Sequence, residues 1–341
     1  MSASLFTFIR LRFMRRLLPL LLVVCLVIGG VGLWYRSFLT TPSPGNGEMV
    51  VEIPKGTGVR GIGALLAAKG LLRDDIRFLA LVWLSGIRAK LQAGEYSLPR
   101  GLTPPELLQL LVKGSTLRHH VTIPEGVTVA QAALLFARDG WIKQDRFLAL
   151  SQDKTLIRQL GLDAPSLEGY LFPETYTLVR NEADERSVLR MMVERFHRVW
   201  RDLNINEAHG LNRHQLVILA SVVEKETGAA VERPLIARVF LNRLDRQMPL
   251  QSDPTVIYGI QDFNGNLTKA DLKRHTPYNT YTLPALPAGP ICNPGRAALE
   301  AVIRPADSQA LYFVSKNDGT HVFSTNLADH NRAVQIYQRG K

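Results

Sequence analysis

The sequence predicts an α+β chain with a single N-terminal transmembrane helix, a small αβ module and a larger α+β domain. Three observations carry this. Residues 17–35, LLPLLLVVCLVIGGVGLWY, hold no charge. A strand–turn–helix pattern, V-x-I-P-x-G, occurs at 51–56 and again at 121–126. The C-terminal half alternates apolar helical stretches with Pro/Gly-rich loops and closes on a hairpin pattern and a helix. At 341 residues, with a globular composition, the chain suits two or three small domains. The expected divisions are a tail at 1–16, a transmembrane helix at 17–36, a tether at 37–48, a module at 49–118 and the larger domain at 119–341.

At ~1.5 Å per residue the uncharged run reaches ~28 Å, close to the hydrocarbon thickness of a bilayer. Arg10, Arg12, Arg15 and Arg16 precede it, Trp34 and Tyr35 close it, and only Arg36 follows at once. That asymmetry predicts a cytoplasmic N-terminus and an exported remainder. A cleaved signal peptide is disfavoured, because the run is long and the bulky GLWYRSFL follows it instead of a small-x-small site. Val23 and Val24 before Cys25 do not fit a lipoprotein signal. Cys292 is alone in the exported part, so no disulfide is expected there. The net charge of +11 includes the four tail arginines, and the rest is spread out. It suits an anionic surface or polymer. Without an Arg/Lys-rich recognition helix, and facing out of the cell, the protein is not expected to bind nucleic acid.

The polar tether SFLTTPSPGNGE (37–48) leads into VEIPKGTGV (51–59), and VTIPEGVTV (121–129) repeats its pattern. Each copy reads as a short strand, a Pro-x-Gly turn and an apolar helix, at Ile62–Lys69 and Ala130–Asp139. YSLPRGLTP (96–104) with Glu106–Val112 is a looser third copy. SLEGYLFPETYTL (166–178) sets Glu168 and Glu174 among Tyr170, Phe172 and Tyr176 in a Gly/Pro-broken segment. Aromatic faces stack on sugar C–H groups and carboxylates accept from hydroxyls, although a core turn with capping acids reads the same way. Ala183–Leu203 is an amphipathic packing helix.

The chain centres on QLVILASVVEKETG (215–228), an apolar run that ends in two carboxylates, a Lys and a Gly. It reads as a buried helix stopped at Gly228. On a helix Glu226 shares a face with Leu219, Val222 and Val223, whereas Glu224 shares one with Val217, Ala220 and Ser221. Glu226 therefore continues the buried stripe and Glu224 leans away. A carboxyl in an apolar setting holds its proton near neutral pH, as a general acid must. The bland alternative is two solvated glutamates at a fraying end. Ser221 reads as core, not as a nucleophile.

Pro234 opens a helix to Leu244. In QSDPTVIYG (251–259), Asp253 reads as N-cap, Pro254 as the first helical residue and Gly259 as the stop. Thr268 and Asp271 fit a capping box. TPYNTYTLPALPAGPICNPG (276–295) is a long loop with Tyr278, Asn279, Thr280 and Tyr281 among prolines, the kind of segment that carries binding groups. Ala297–Ile303 is a helix, LYFVS and HVFST flank a hairpin turn, and Leu327–Tyr337 is a closing helix.

No H-E-x-x-H, paired cysteines, Walker loop, dinucleotide fingerprint or G-x-S-x-G is present. What remains is a carboxylate on a buried helix, followed by aromatic and amide loops, which suits a neutral, hydroxyl-rich polymer. Ordinary glycosidases use two carboxyls. One suffices if it protonates the leaving oxygen and then takes a proton from a hydroxyl of the same sugar.

The ordered motifs VVEKET (222–227), FLNRL (240–244), LQSDPTVIYG (250–259), YNTY (278–281), LPAGPICNPG (286–295) and FSTNLADHN (323–331) resemble the endolytic murein transglycosylases of the MltG (YceG-like) type. The resemblance covers most of 49–341. It implies a LysM-like module and a catalytic domain, both periplasmic or outside the membrane and anchored to the plasma (inner) membrane. It also implies cleavage of nascent peptidoglycan glycan strands between MurNAc and GlcNAc that leaves 1,6-anhydro-MurNAc ends. It places the catalytic carboxyl on Glu226, the second Glu of E-K-E-T, with no metal or organic cofactor. Gln251, Ser252, Asp253, Tyr258, Tyr278, Asn279, Thr280 and Tyr281 become candidate substrate contacts, and Glu174 is added on its aromatic setting. Peptidoglycan synthases are the implied partners. Pro290 and Cys292 depart mildly from the pattern. Two alternatives remain: a hydrolytic muramidase with Asp253 activating water, and a non-catalytic wall-binding scaffold.

Overall fold

The computed structural model describes residues 3–73, 75–114, 116–204, 208–226 and 228–339. The side chains of the tail arginines and Thr227 of the E-K-E-T motif lie outside the described residues. The described chain divides into two compact units, residues 1–119 with 179–181, and residues 120–178 with 182–341.

The first unit begins with α1 (Ala3–Thr40). Its segment Leu18–Thr40 has a mean hydropathy of 2.3, and none of its most apolar stretch is buried. By length and composition it fits a membrane anchor or a signal sequence. The helix runs four residues into the stretch expected as a tether, and the reason is visible in the packing. Phe38 is buried in the core of the unit. Arg77 donates to Trp34 O at 3.0 Å and lies 4.6 Å from the Trp34 ring and 4.9 Å from that of Phe38. Thr41 Oγ1 then bonds back to Ser37 O at 2.6 Å, past the last helical residue.

β1 (Glu48–Ile53) pairs antiparallel with β2 (Gly94–Pro99), in register from Glu48↔Pro99 to Ile53↔Gly94. The two strands belong to the first and third copies of the sequence pattern. Val51, Ile53, Tyr96 and Leu98 face inward. The crossover carries α2 (Val59–Ala68) and α3 (Ile76–Leu84), and α4 (Pro104–Lys113) follows β2. Leu66, Phe78, Leu107 and Leu111 fill the core between them. Thr103 and Glu106 form a capping box on α4, and Gly114 ends it in the left-handed conformation that its lack of a Cβ permits. The sequence reading has no counterpart for α3: apart from Arg77, IRFLALVWL is apolar throughout and offers no polar flank to mark a period.

In the second unit β3 (His119–Thr122) leads to α5 (Val129–Arg138), capped by Thr128 and Gln131, then α6 (Gln144–Ser151) and α7 (Lys154–Gln159). β4 (Thr175–Leu178) pairs with β3, so the end of the segment expected to be irregular is a strand. α8 (Glu185–Leu203) buries Val188, Met192, Phe196 and Val199 along its apolar stripe. α9 (Arg213–Glu226) packs against α10 (Arg233–Asp245), α11 (Asp253–Tyr258) and α13 (Arg296–Ile303). Between α11 and α13 come α12 (Lys269–Lys273), with the expected Thr268–Asp271 capping box, and the long proline-rich loop. β5 (Tyr312–Ser315) and β6 (His321–Ser324) form the expected hairpin. α14 (Leu327–Val334) ends in a wider turn at Gln335–Arg339.

Two local expectations change. Ser252, not Asp253, is the N-cap of α11, with Asp253 and Pro254 in its first turn. Every residue of α9 from Leu216 to Val223 is buried, so the helix has no polar flank for Glu224 to lean onto.

Candidate active site

Glu226 is the last residue of α9, where the buried run meets a partly open surface. Ser252, itself buried, donates its hydroxyl to Glu226 Oε1. Burial pushes the Glu226 carboxyl up to about 7. The Ser252 hydrogen bond opposes this, the negative charge of Asp253 adds to it, and His321 and Arg243 pull it down. Tyr281 donates to Asp253 Oδ1 at 2.6 Å, and burial together with that bond holds its phenol protonated.

A second buried carboxyl lies in the same unit. Glu168 accepts from Val129 N at 3.1 and 3.2 Å, from Tyr258 Oη at 3.1 Å and from Asn293 Nδ2 at 3.3 Å. Val129 is the first residue of α5, so Glu168 satisfies a free amide of that helix from outside. Burial raises Glu168 to about 7, against the hydrogen bonds from Val129 and Tyr258. The Tyr278 ring meets Tyr258 edge-on at 4.8 Å. Asp253 opens α11 and Tyr258 ends it, so one helix of about 8 Å carries both the Glu226 group and the Glu168 group.

The loop beneath is held by hydroxyls and an amide. Thr255 Oγ1 and Thr280 Oγ1 are 2.8 Å apart, Thr280 Oγ1 accepts from Ser252 N at 3.1 Å, and Gln251 N donates to Thr280 O at 3.1 Å. Asn279 Nδ2 reaches Asp271 O, Leu272 O and Arg274 O, while its Oδ1 accepts from Tyr281 N at 2.9 Å. Gln251 has a φ of +52°, an uncommon turn that delivers Ser252 to Glu226.

The candidate residues therefore divide into three groups. Glu226, Gln251, Asp253, Tyr258, Tyr278 and Tyr281 keep accessible surface. Ser252, Asn279 and Thr280 are buried and act from below, which corrects the expectation that they line a cleft: their polar atoms are turned onto the backbone, Thr255 and Glu226. Glu174 is not brought to either carboxyl. It pairs with Arg195 on α8, and its carbonyl accepts from Ile123 N at 2.9 Å, because β4 draws it toward β3.

Both carboxylate oxygens of Glu224 are engaged. Arg233 donates to its Oε1 at 3.0 Å and Gly295 N, at the N-cap of α13, to its Oε2 at 2.9 Å. Ser221 bridges Ile218 O at 2.7 Å and Ile291 N at 3.0 Å, fastening the late loop to α9 as a core hydroxyl. Sequence reasoning missed Arg243 and Asn293. Arg243 is buried, donates to Leu311 O and Leu250 O at 2.7 Å each, and ties α10 to the segment before Ser252. Asn293 joins Leu171 N at 2.9 Å to Val127 O at 3.0 Å. The available signal was a lone Arg inside the apolar FLNRL stripe and an amide before Pro-Gly. Among the described residues no three of His, Cys, Asp and Glu gather as metal ligands.

A carboxyl with a pKa near neutrality, held by one hydroxyl and with Asp253 and Tyr281 beside it, can give and take a proton at a polymer hydroxyl or ether oxygen. The sequence matches the YceG-like family over residues 51–336. An endolytic murein transglycosylase from Bacillus subtilis (strain 168) is 31% identical over 333 residues, covering 93% of this chain and 92% of the relative. One from Streptococcus pneumoniae is 31% identical over 325 residues, and there the match covers 86% of this chain and 59% of the longer relative. The crystal structure of a YceG-like protein from Listeria monocytogenes superposes with a TM-score of 0.56 at 29% identity, over 85% of this chain and 100% of that one. With the family matched across nearly all of the chain beyond α1, this protein belongs to the YceG-like family.

Proposed function

We propose that the protein is a membrane-anchored endolytic peptidoglycan lytic transglycosylase. It cuts the MurNAc–GlcNAc bond of nascent glycan strands and leaves 1,6-anhydro-MurNAc ends, which terminates strand growth. The observation that carries this reading is the Glu226 carboxyl, partly accessible yet raised to about 7. At neutral pH such a group populates both the acid form and the base form. Protonated Glu226 gives its proton to the glycosidic oxygen as the C1–O bond breaks. Positive charge develops at C1, and the carboxylate, steadied by Ser252, then removes the C6 hydroxyl proton while O6 bonds to C1. No water enters, so one carboxyl serves both steps.

Asp253, Tyr258, Tyr278 and Tyr281 are the side chains we assign to the glycan, with Gln251 at the rim. Ser252, Asn279 and Thr280 hold them in place. We read residues 49–118 as the LysM-like module, supported by the strand–helix–helix–strand order from β1 to β2. The net charge of +11 and α1 fit an enzyme working outside the plasma membrane with its N-terminus in the cytoplasm, beside the synthases that make the strands.

A hydrolytic muramidase is the second reading, favoured by the proximity of Asp253 to Glu226. Mass spectrometry of strand ends, after incubating purified glycan with the full-length chain in detergent, separates the two. Anhydro ends are lighter than reducing ends by one water. Anhydro ends with the wild type and none with Glu226→Gln are expected. Reducing ends would shift the assignment to hydrolysis, and cutting by Glu226→Gln would remove Glu226 from the chemistry.

A further inference from the structure

We propose that α3 is an interfacial helix whose outer face rests in the surface of an anionic bilayer beside α1. Apart from Arg77, α3 is composed of apolar residues. Its inner side, Phe78, Leu81 and Val82, is buried in the first unit. Its outer side leaves Ile76, Trp83 and Leu84 exposed by 68, 77 and 64%. Residues 76, 83 and 84 are spaced by seven and eight, so they share one stripe with Ala80 between them. A helix with two apolar faces needs two covers, and the fold supplies one.

The position of α3 identifies the second cover. Arg77, in its first turn, is held by Asp75 at 2.5 Å and grips Trp34 and Phe38 at the C-terminal end of the Leu18–Thr40 segment. α3 therefore starts at the depth where α1 leaves the apolar layer, the level at which tryptophan is favoured in membrane proteins. Residues 69–90 carry Lys69, Arg73, Arg77, Arg88 and Lys90 against Asp74 and Asp75, and Arg77 occupies Asp75. Exposed Lys69, Arg73, Arg88 and Lys90 flank the apolar stripe. A tryptophan-bearing apolar face bordered by cations matches the boundary between acyl chains and anionic headgroups. The consequence is mechanical: α1 and α3 together give the first unit two attachments to the membrane instead of one swivelling tether.

This inference rests on reading α1 as a retained anchor, and the test separates the two. The full-length chain is reconstituted into vesicles of phosphatidylcholine and phosphatidylglycerol. An environment-sensitive fluorophore is attached either to Cys25 of the wild type or to Leu84→Cys in a Cys25→Ser background. Cys292 is buried and stays unlabelled. Nitroxide carried on the lipid is expected to quench both labels, and aqueous iodide neither. Adding Ile76→Ser and Trp83→Ser should restore iodide quenching at position 84. Lipid quenching at Cys25 with iodide quenching at 84 overturns the α3 proposal alone. No lipid quenching at either position overturns the anchor reading and the proposal with it. Protection of position 84 from both quenchers, lost as the protein is diluted in lipid, would mean that a second copy covers the face, and would also overturn it.

Discussion

Ser252 donates its hydroxyl to Glu226 Oε1, joining the start of α11 to the end of α9 across 26 residues of sequence. A donor aimed at a carboxylate favours its charged form, while Asp253 in the same turn disfavours it. The two neighbours therefore tune one proton in opposite directions. Ser252→Ala should raise the Glu226 pKa and move the alkaline limb of the kcat/KM profile to higher pH. Asp253→Asn should lower it and move the limb to lower pH. The pH profile of glycan cleavage reads both shifts. Limbs that stay in place in both variants would sink the assignment of Glu226 as the acid. Asp253→Asn should keep substantial turnover if a single carboxyl runs the reaction, whereas loss of all turnover there would favour the hydrolytic reading.

Glu226→Gln should lower turnover by roughly 10²–10⁴-fold, the range for removing a general acid–base group. Its melting temperature should not fall, because the amide keeps the shape and removes a buried charge. A variant that both unfolds and loses activity would say nothing about chemistry, so thermal unfolding is measured beside cleavage.

Buried Glu168 links the site to stability. Its pKa rises from the usual 4.5 to about 7 on folding. Below about 4.5 both states hold the proton and nothing is lost. From about 4.5 to about 7 the unfolded state has released a proton that the folded state still holds, so stability falls across this range, and the loss is complete once the folded state gives up its proton above 7. The shift corresponds to on the order of 3 kcal/mol. Wild type should therefore lose about that much relative to Glu168→Gln between pH 4.5 and 8, read from urea midpoints. His214 and His330 are held below the usual histidine range by burial and so act in the opposite sense, and their effect cancels in the comparison. A wild-type midpoint that gains on the variant over this range would contradict the assignment.

Gly169 follows Glu168 with a φ of +86°, and an added Cβ would lie 2.6 Å from Pro290 and 2.9 Å from Val217. Neither neighbour can swing away, since Val217 is inside α9 and Pro290 is fixed by its ring. Gly169→Ala should therefore combine backbone strain with overpacking and cost about 2–4 kcal/mol. Differential scanning calorimetry of the variant checks this. An unchanged transition would show that the late loop can move away from α9.

How far the sequence was legible follows from what kind of signal each feature leaves. The buried run of α9, the helix from Pro234, the Thr268–Asp271 box and the β5–β6 hairpin are local patterns, and they read correctly. α3 leaves no period, because both of its faces are apolar. β4 does alternate, Thr-Tyr-Thr-Leu, but at four residues just after Gly169 and Pro173 that signal is too short to stand out from a broken segment. Asn279 and Thr280 look like binding groups because a polar loop side chain carries no record of which way it turns. Glu224 and Glu226 could be ranked by helix phase, but not by the right reason. With the whole helix buried, what separates them is a partner from another segment: a serine for one, an arginine and a helix N-cap for the other.

That contrast yields the last prediction. The Arg233 side chain is 11% exposed and the Glu224 side chain 5%. The next carboxylate, Glu125, lies 3.9 Å from Arg233 and is half-exposed. Glu224→Ala thus strands a buried guanidinium and frees the Gly295 amide, a loss of about 3–5 kcal/mol. For a unit of this size that is a fall in Tm of roughly 10 °C. Replacing both members, Glu224→Met with Arg233→Met, removes the stranded charge and should recover most of the loss, because apolar pairs of similar volume substitute well for buried ion pairs. Cleavage per folded molecule should survive in the double variant, since Glu226 and Ser252 are untouched. A double variant that regains its Tm and cuts no glycan would move Glu224 from support into the chemistry.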